Sequence, residues 1–353
     1  MCVFAYVGCR TTKERGARGK GISVYRIDDR GVWTLVQLVE GLVNPSYLCF
    51  DRTGDFLYSV HGDRSEVSSF SVDGSTGALA LLGTTSTGGT NPVHLSVDRT
   101  NRWVFVANLQ TGNISVLPRL SDGALGPIAH NYVIPGNGEG DVSHPHQVMQ
   151  DPTGDFLIVS CQGRNAGYGQ VDVFAISHDD GSLERTCAVR SRAIAEPRHV
   201  AVHPNGKWVY GVNEKDYTVE FYEFDPVYGG LLPRQIVPTL PDTCTGDGWA
   251  SGIVVSADGQ HVIVSNRTND SLSSFAVDSA TGRLALRSCV PCEGECPRFI
   301  TMGHGKDAVW AANEMSDTIV EFSLSSVDGT LAKTGRVIST PSPVCLLFSD
   351  MSK

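Results

Sequence analysis

A segment that recurs seven times constrains the fold of this chain more than any other feature. Each copy has Pro or Ala at the entry to a short apolar strand, and the first six copies continue through a polar turn into a second apolar strand. Successive copies begin 46 to 53 residues apart, at Pro45, Pro92, Pro145, Pro197, Ala250, Pro297 and Pro343. Self-similarity at a period of about 20 to 50 residues is typical of folds built by repeating one supersecondary unit.

Each period holds about four strands of ordinary length. A second turn precedes a further apolar strand, as at residues 73–79, 278–284 and 327–331, and no segment shows convincing helical periodicity. Units of about 50 residues with four short strands are typical of propeller blades. The sequence therefore predicts an all-β chain that folds as a seven-bladed β-propeller.

The two ends of the chain complete one another in this prediction. The seventh unit has only its first strand, which lies at the C-terminus, and strands predicted over residues 3–8, 21–27 and 33–39 supply the rest. Sharing one blade between both termini closes the ring and removes two exposed sheet edges. We therefore predict a single propeller domain over residues 1–353, with no linker.

Composition argues against several classes of partner. Lys and Arg total 28 against 38 Asp and Glu, and a net charge of −10 disfavours broad binding of nucleic acid or anionic membranes. No run approaches the roughly 18 apolar residues of a membrane span, and residues 1–8 lack the basic segment of a secretion signal. Ten cysteines are too dilute for a disulfide scaffold, so a reducing cytoplasm is expected. The sequence does not fix an oligomeric state and is compatible with a monomer.

Motifs for metal and cofactor chemistry are weak or missing. Cys289, Cys292 and Cys296 form a C-x₂-C-x₃-C run that would suit zinc, but no second knuckle follows it, so a structural role is expected. The chain has no G-x-S-x-G elbow, P-loop or dinucleotide fingerprint, which disfavours a serine hydrolase, a kinase or a dehydrogenase. We expect no metal and no organic cofactor.

Superposition of the repeats places equivalent residues in two rings around a central channel. The first ring, directly after the strand entry, consists of Ser46, Val93, His146, Arg198, Ser251, Arg298 and Val344. The second ring, after the second strand, consists of Gly62, Leu109, Gln162, Glu214, Arg267 and Glu314. Ring positions with a purely structural role should be small or apolar in every blade. The ionisable members instead fall in consecutive blades, from His146 to Glu314, which indicates a functional site.

Four of these residues suit acid–base chemistry on an anion. Arg198 and Arg267 each offer a planar fork of donors for a carboxylate or phosphate. Glu214 lies between them in the ring order and can act as a general base or acid, and His146 titrates near neutral pH. The alternative is a structural ion-pair network in a water-filled channel.

Other polar residues near the rings are secondary candidates. Arg298 and Glu314 either bind substrate or simply pair with each other. His144 lies two residues before His146, so both are expected to face one side of an extended segment, with His144 binding substrate. A metal site built on these two histidines lacks an evident third ligand.

Two further features are expected to be structural or solvated. His199 directly follows Arg198, so in a regular strand it should point to the opposite face and serve packing. The loop over residues 10–20 carries Arg10, Lys13, Arg15, Arg18 and Lys20. A solvated loop is expected there, with attraction of anions toward the channel mouth as its functional alternative.

An ordered set of short motifs runs along essentially the full chain. The motifs are Tyr6-Val7-Gly8, Gly19-Lys20-Gly21-Ile22-Ser23-Val24-Tyr25, Asn44-Pro45-Ser46-Tyr47-Leu48, Val106-Ala107-Asn108, His144-Pro145-His146, Pro197-Arg198-His199, Asn213-Glu214 and Ser265-Asn266-Arg267. Together they resemble the propeller-type 6-phosphogluconolactonase family, which also includes propellers similar to fungal 3-carboxy-cis,cis-muconate cyclase. In that cyclase branch the resemblance places the catalytic His, Arg, Glu and Arg on His146, Arg198, Glu214 and Arg267.

The resemblance implies a cofactor-independent enzyme that acts on a small anionic lactone, by hydrolysis of the 6-phosphogluconolactonase type. Arg198 and Arg267 would hold the anionic group, while either Glu214 or His146 activates water and the other protonates the leaving alkoxide. One alternative is a carboxymuconate-cyclase-like isomerase that forms a lactone from a polycarboxylate. Another is a non-catalytic propeller that binds a partner on one face. Residues 250–253 read Ala-Ser-Gly-Ile where many relatives carry an acidic residue, which leaves the particular substrate open.

Overall fold

The chain folds as a closed ring of β-sheets in a computed structural model that describes residues 3–164, 167–246, 248–303 and 307–349. In these ranges 28 strands form seven four-stranded antiparallel sheets, and the one helical element is a 3₁₀ turn at Lys13–Arg15. This arrangement confirms the predicted all-β, seven-bladed β-propeller. No helix in the described ranges is long and apolar enough to span a membrane.

The strands follow the repeat along the chain. The N-terminal strands are β1 (Val3–Cys9), β2 (Gly21–Ile27) and β3 (Trp33–Glu40). The next three blades consist of β4 (Pro45–Phe50), β5 (Phe56–His61), β6 (Glu66–Val72), β7 (Leu79–Ser86), β8 (Pro92–Val97), β9 (Trp103–Asn108), β10 (Asn113–Pro118), β11 (His130–Val133), β12 (Pro145–Gln150), β13 (Phe156–Cys161), β14 (Gln170–Ile176) and β15 (Leu183–Arg190). The following three blades consist of β16 (Pro197–Val202), β17 (Trp208–Asn213), β18 (Thr218–Asp225), β19 (Gly230–Pro238), β20 (Ala250–Val255), β21 (His261–Asn266), β22 (Ser271–Val277), β23 (Leu284–Pro291), β24 (Pro297–Met302), β25 (Ala308–Asn313), β26 (Thr318–Leu324) and β27 (Leu331–Ser339). The last strand is β28 (Pro343–Phe348).

Both chain ends contribute to one blade, as the sequence predicted. The strand order of this blade is β28-β1-β2-β3, and β28 runs antiparallel to β1, with Ala5 opposite Phe348 and Gly8 opposite Cys345. Beyond the ladder, the amide of Phe4 donates to Ser349 Oγ at 3.0 Å and the amide of Ser349 donates to the Phe4 carbonyl at 2.8 Å. The C-terminal strand therefore holds the ring closed.

The hydrophobic core lies between adjacent blades. Second strands are buried on both faces, so β13 has no exposed residue, whereas the outermost strands alternate between exposed and half-buried positions. Each apolar cluster joins neighbouring sheets; one, for example, packs Ile114 and Phe105 of one blade against Leu157 and Val159 of the next. This packing fixes the blades around the axis and leaves the inner ends of the first strands to line the channel.

A break in pairing marks the entry of the first strands. The register shifts directly after the entry residue in all seven blades, between Pro45 and Tyr47, Pro92 and His94, Pro145 and Gln147, Pro197 and His199, Ala250 and Ile253, Pro297 and Phe299, and Pro343 and Cys345. A bulge leaves one residue unpaired and re-aims its side chain. The residue so released is the first-ring residue, apart from β20, where Gly252 is skipped as well as Ser251.

Candidate active site

One central cavity collects most of the first ring. Six of its seven predicted members line the cavity, together with four further side chains: Ser46, Val93, His146, Arg198, Arg298 and Val344, with Arg10, Tyr47, His199 and Phe299. Ser251 is absent from this lining, and its hydroxyl donates to the Arg298 carbonyl at 2.7 Å. Repeat superposition thus located the channel lining, while the added residues came from outside the predicted rings.

A single carboxylate ties Arg198 of the cavity lining to Arg267, although neither Glu214 nor Arg267 belongs to that lining. Glu214 Oε2 lies 3.1 Å from Arg198 Nε, and Glu214 Oε1 lies 3.0 Å from Arg267 Nη2. Gln162 donates from Nε2 to Glu214 Oε2 at 2.7 Å, and its own Oε1 accepts from Arg164 Nε at 3.1 Å. Both carboxylate oxygens of Glu214 are therefore occupied by donors.

The start of β20 also holds both guanidinium groups, that of Arg198 from the neighbouring blade and that of Arg267 within its own blade. Arg198 donates from Nη1 to the Ser251 carbonyl at 3.0 Å, and Arg267 donates from Nη2 to the Ala250 carbonyl at 3.2 Å. The guanidinium of Arg267 also lies over the Trp249 ring, 5.3 Å from its centroid. Backbone carbonyls, the Glu214 carboxylate and the Trp249 ring thus fix the orientation of the two guanidinium groups before any substrate binds. A fixed orientation of this kind is the condition for electrostatic preorganisation.

The charge of Glu214 is stable despite its burial. Burial raises the pKa of this carboxyl, but the guanidinium groups of Arg267 and Arg198 outweigh that effect and keep the pKa below its ordinary value. Glu214 is therefore ionised at neutral pH.

His146 is a neutral side chain with an unused ring nitrogen. Burial lowers its pKa well below the usual value, and the nearby charge of Arg198 lowers it further. No hydrogen-bond partner of Nδ1 is found among the described residues, and the His199 ring lies 5.1 Å away between centroids. At neutral pH, His146 is thus a proton acceptor facing the cavity beside the arginines.

The expectation for His199 was wrong. Its ring does not turn to the opposite face but lines the cavity with Arg198, whose Nη1 lies 3.3 Å from His199 Nε2. The cause is the bulge at Arg198, which breaks the alternation of a regular strand. His199 joins an aromatic group with Tyr47, His94 and Phe299, in which Tyr47 lies 3.9 Å from His94 and 6.3 Å from Phe299 between ring centroids. This group closes one side of the polar site.

His144 is separated from His146 by backbone geometry. Its φ is +56°, so the segment before β12 is not extended and the two side chains do not share a face, contrary to expectation. His144 Nδ1 lies 2.8 Å from the Leu109 carbonyl, and the residue is not part of the cavity lining. Its role in substrate binding stays a prediction without support from this geometry.

Arg298 and Glu314 adopt the pairing that the sequence offered as an alternative. Arg298 Nη1 lies 3.5 Å from Glu314 Oε2, and Arg298 also lines the cavity. The pair is long for a charge-assisted hydrogen bond, so Glu314 does not bind the Arg298 guanidinium tightly.

The three clustered cysteines have separate environments. Cys289 Sγ contacts Ser271 Oγ at 3.4 Å, and Cys292 Sγ contacts the Gly294 carbonyl at 3.1 Å. Burial raises the pKa of Cys292 to about 12 and also raises that of Cys296, so both thiols are protonated at neutral pH. In the part of the chain that the structure describes, no group of three His, Cys, Asp or Glu side chains is placed to hold a metal ion.

Arg10 also lies elsewhere than the sequence predicts. It was assigned to a solvated loop, yet it is only 3% exposed and its guanidinium lines the cavity. Arg10 follows β1 as Glu314 follows β25, so it is the seventh member of the second ring. Continuing the superposition across the shared blade would have found it.

The fold and the site together define a class: a closed seven-bladed β-propeller with a cationic polar site in its channel. The two rings contain four arginines, Arg10, Arg198, Arg267 and Arg298, against two glutamates, Glu214 and Glu314. The chain belongs to the lactonase family of seven-bladed β-propellers, whose sequence model matches residues 4–348.

Relatives of known name extend over the whole chain. A 6-phosphogluconolactonase of Bacillus subtilis is 28% identical over 349 residues, which cover 97% of this chain and 98% of the relative. Another, of Formosa agariphila, is 27% identical and covers 93% and 94% of the two chains. The solved structure of a periplasmic gluconolactonase of Pseudomonas aeruginosa has a TM-score of 0.88 and 26% identity, with 99% of each chain covered.

Proposed function

We propose that this protein hydrolyses a small anionic lactone in a reaction of the 6-phosphogluconolactonase type, without a cofactor. The observation that carries the proposal is the buried Glu214 carboxylate between Arg198 and Arg267, beside a neutral His146. The names of the full-length relatives support the same reaction class.

In this proposal the arginines stabilise the charge that develops during attack. Addition of water to the lactone carbonyl places negative charge on the carbonyl oxygen, and fixed cationic donors stabilise it without reorganising. Arg198 and Arg267 supply such donors in a site with little solvent. Glu214 acts as a positioning residue, because both of its carboxylate oxygens contact the guanidinium groups of these arginines.

His146 is the group we assign to proton transfer. Its unpartnered Nδ1 accepts a proton as water adds to the carbonyl carbon, which gives a tetrahedral intermediate and an imidazolium. When the ring C–O bond breaks, the imidazolium returns the proton to the leaving alkoxide. The product is the hydroxy acid, ionised at neutral pH, and His146 is neutral again.

Proton release measured in a pH-stat tests the proposal directly. Freshly prepared 6-phosphogluconolactone is added to the wild-type protein, to Glu214→Gln and to Glu223→Gln, whose carboxylate pairs with Arg234 on the surface. We expect rapid release by the wild type and by Glu223→Gln. Glu214→Gln should lose about a hundredfold in kcat, because misplacing catalytic groups by about 1 Å costs that much.

The outcomes separate the candidate reactions. Release by wild type at the spontaneous rate would refute hydrolysis of this lactone, and carboxymuconates would then test the cyclase alternative. Wild-type turnover by a folded Glu214→Gln would refute the assigned site.

We also propose a reducing compartment such as the cytoplasm. The nine cysteines in the described ranges are all free, and Cys9, Cys161, Cys292 and Cys345 are buried. Free, buried thiols of this kind fit a compartment that keeps thiols reduced.

A further inference from the structure

Arg10 is a buried cation that the proposed hydrolysis does not use. It directly follows β1, is 3% exposed, and lies in the channel wall. Within the described residues, neither its Nε nor its Nη1 has a hydrogen-bond partner. Burying two donor atoms of a guanidinium without acceptors is costly, so their presence in a channel wall indicates an acceptor that arrives with a ligand.

The surroundings of Arg10 are shaped for such an acceptor. Ser46 Oγ lines the same cavity and is also buried without a partner among the described residues. Gly62, the second-ring residue of the next blade, leaves the space that the Arg10 guanidinium occupies beside Ser46. A Cβ at Gly62 would overlap Arg10 Nη1 and lie 3.0 Å from Ser46 Oγ.

The positive charge of Arg10 is only partly compensated by nearby Glu314 and Asp63. Burial and the neighbouring charge of Arg298 lower the pKa of Arg10, which means that its charged form lacks adequate stabilisation. The nearest carboxylates already have partners, because Glu314 pairs with Arg298 and Asp63 pairs with Arg15. A multivalent anion would therefore be attracted here more strongly than a neutral hydroxyl group.

The ring order places Arg10 across the channel from Glu214. Glu214 follows β17, and Arg10 occupies the same position three blades further round the sevenfold ring. A ligand with its lactone at Glu214 would extend its far end toward Arg10.

We propose that Arg10, Ser46 and Arg298 form a subsite for the phosphate of a phosphorylated sugar lactone, and that Arg10 determines selectivity for phosphorylated over neutral lactones. This inference rests on the proposed function for the identity of the ligand. Phosphate offers the several acceptor oxygens that the two guanidinium groups and the hydroxyl require.

The test measures binding of product rather than turnover. Calorimetric dissociation constants are determined for 6-phosphogluconate, gluconate and inorganic phosphate with wild type, Arg10→Gln, Gly62→Ala and Arg30→Gln. Arg30 is an exposed arginine in the turn between β2 and β3, so its variant controls for loss of one positive charge.

We expect Arg10→Gln to raise the dissociation constant of 6-phosphogluconate by about tenfold to a hundredfold, the range for loss of a hydrogen bond to a charged group. The dissociation constant of gluconate should be unchanged. Gly62→Ala should also weaken the binding of 6-phosphogluconate, because the added methyl group displaces the Arg10 guanidinium. Arg30→Gln should bind it with the affinity of the wild type. Inorganic phosphate should bind wild type and lose affinity in Arg10→Gln.

Two results would overturn the subsite: equal wild-type affinity for 6-phosphogluconate and gluconate, or equal weakening of both by Arg10→Gln. The binding measurement is independent of catalysis. If wild type hydrolysed no lactone yet needed Arg10 to bind 6-phosphogluconate, the proposed function would fail and the subsite would stand.

Discussion

At the scale of single residues, the site keeps opposite charges buried by giving each of them fixed partners. Glu214 is bound by two arginines and a glutamine amide, and its removal would leave two buried cations facing each other. Breaking a buried pair in this way costs about 3 to 5 kcal/mol, so the network is important for stability as well as for charge placement. Burial, together with the nearby charge of Arg198, lowers the pKa of His146 and keeps this side chain neutral at rest.

The depressed pKa of His146 predicts the pH dependence of hydrolysis. A base must be neutral in the free enzyme, so kcat/KM falls on acidification as the base becomes protonated. Burial and Arg198 lower this pKa, and the acid limb should therefore lie below pH 6.5, with a plateau at neutral pH. Measuring kcat/KM between about pH 4.5 and 8, with the spontaneous hydrolysis subtracted, checks this prediction, because the range begins about two units below the usual pKa of histidine.

His146→Gln is the companion variant for that profile. It should lose about a hundredfold or more in kcat and abolish the acid limb, as expected for removal of a general base. An inflection at or above pH 6.5, or an unchanged limb in the variant, would contradict the assignment of the proton to His146.

At the scale of elements, neighbouring blades are tied by a recurring tyrosine. In three blades a tyrosine of the second strand donates to a glycine carbonyl in the turn before the fourth strand of the next blade. The pairs are Tyr6 with Gly77 at 2.9 Å, Tyr58 with Gly123 at 2.9 Å, and Tyr210 with Gly282 at 2.8 Å. Each hydroxyl satisfies a carbonyl that apolar side chains would otherwise leave without a donor.

Removing one of these hydroxyls should destabilise the ring without affecting catalysis. Tyr210→Phe leaves the Gly282 carbonyl unsatisfied, and we expect a loss of about 1 to 3 kcal/mol in the free energy of unfolding. Tyr228→Phe is the matched control, because Tyr228 is 78% exposed. Denaturant titration measures both, and equal stabilities of the two variants, or a loss of turnover in Tyr210→Phe, would contradict this role.

At the scale of the whole molecule, closure of the ring depends on one short strand at the C-terminus. β28 pairs with β1 and buries Val344, Cys345 and Leu346 between its neighbours. Burial of each such side chain is worth about 1.5 to 3 kcal/mol, a large part of the net stability of a typical domain. The loss of this strand would also expose the inner edge of β1 beside Arg10.

Deletion of residues 343–353 should therefore abolish cooperative unfolding of the whole ring rather than fray one blade. Thermal scans monitored by circular dichroism and calorimetry check this. Addition of a peptide spanning residues 343–349 should restore a cooperative transition, because the missing strand is supplied in trans. A truncated chain that melts cooperatively at the temperature of the full chain would show that the ring does not need this strand.

The sequence alone determined the architecture and most of the channel lining. A proline begins six of the seven repeats, and the entries at Pro45, Pro92 and Pro145 coincide with the first residues of β4, β8 and β12. Closure through β1 and β28 also followed from counting strands. These features were accessible because strand alternation and turn chemistry are local, and a repeated unit shows them several times.

Only the tertiary structure decided which side chains meet. The bulge after Pro197 turned His199 into the channel, and the positive φ of His144 separated it from His146. Both deviations recur in other blades, as in the bulge after Pro45 and the positive φ of Asn44, but the residue types at these positions differ between blades, so the pattern of apolar and polar residues did not reveal them. Arg10 entered the site because ring closure brings the N-terminal strand beside Gly62 and Arg298. Contacts between blades, and the charges and pKa shifts that follow from them, depend on distances through space that no periodicity along the chain encodes.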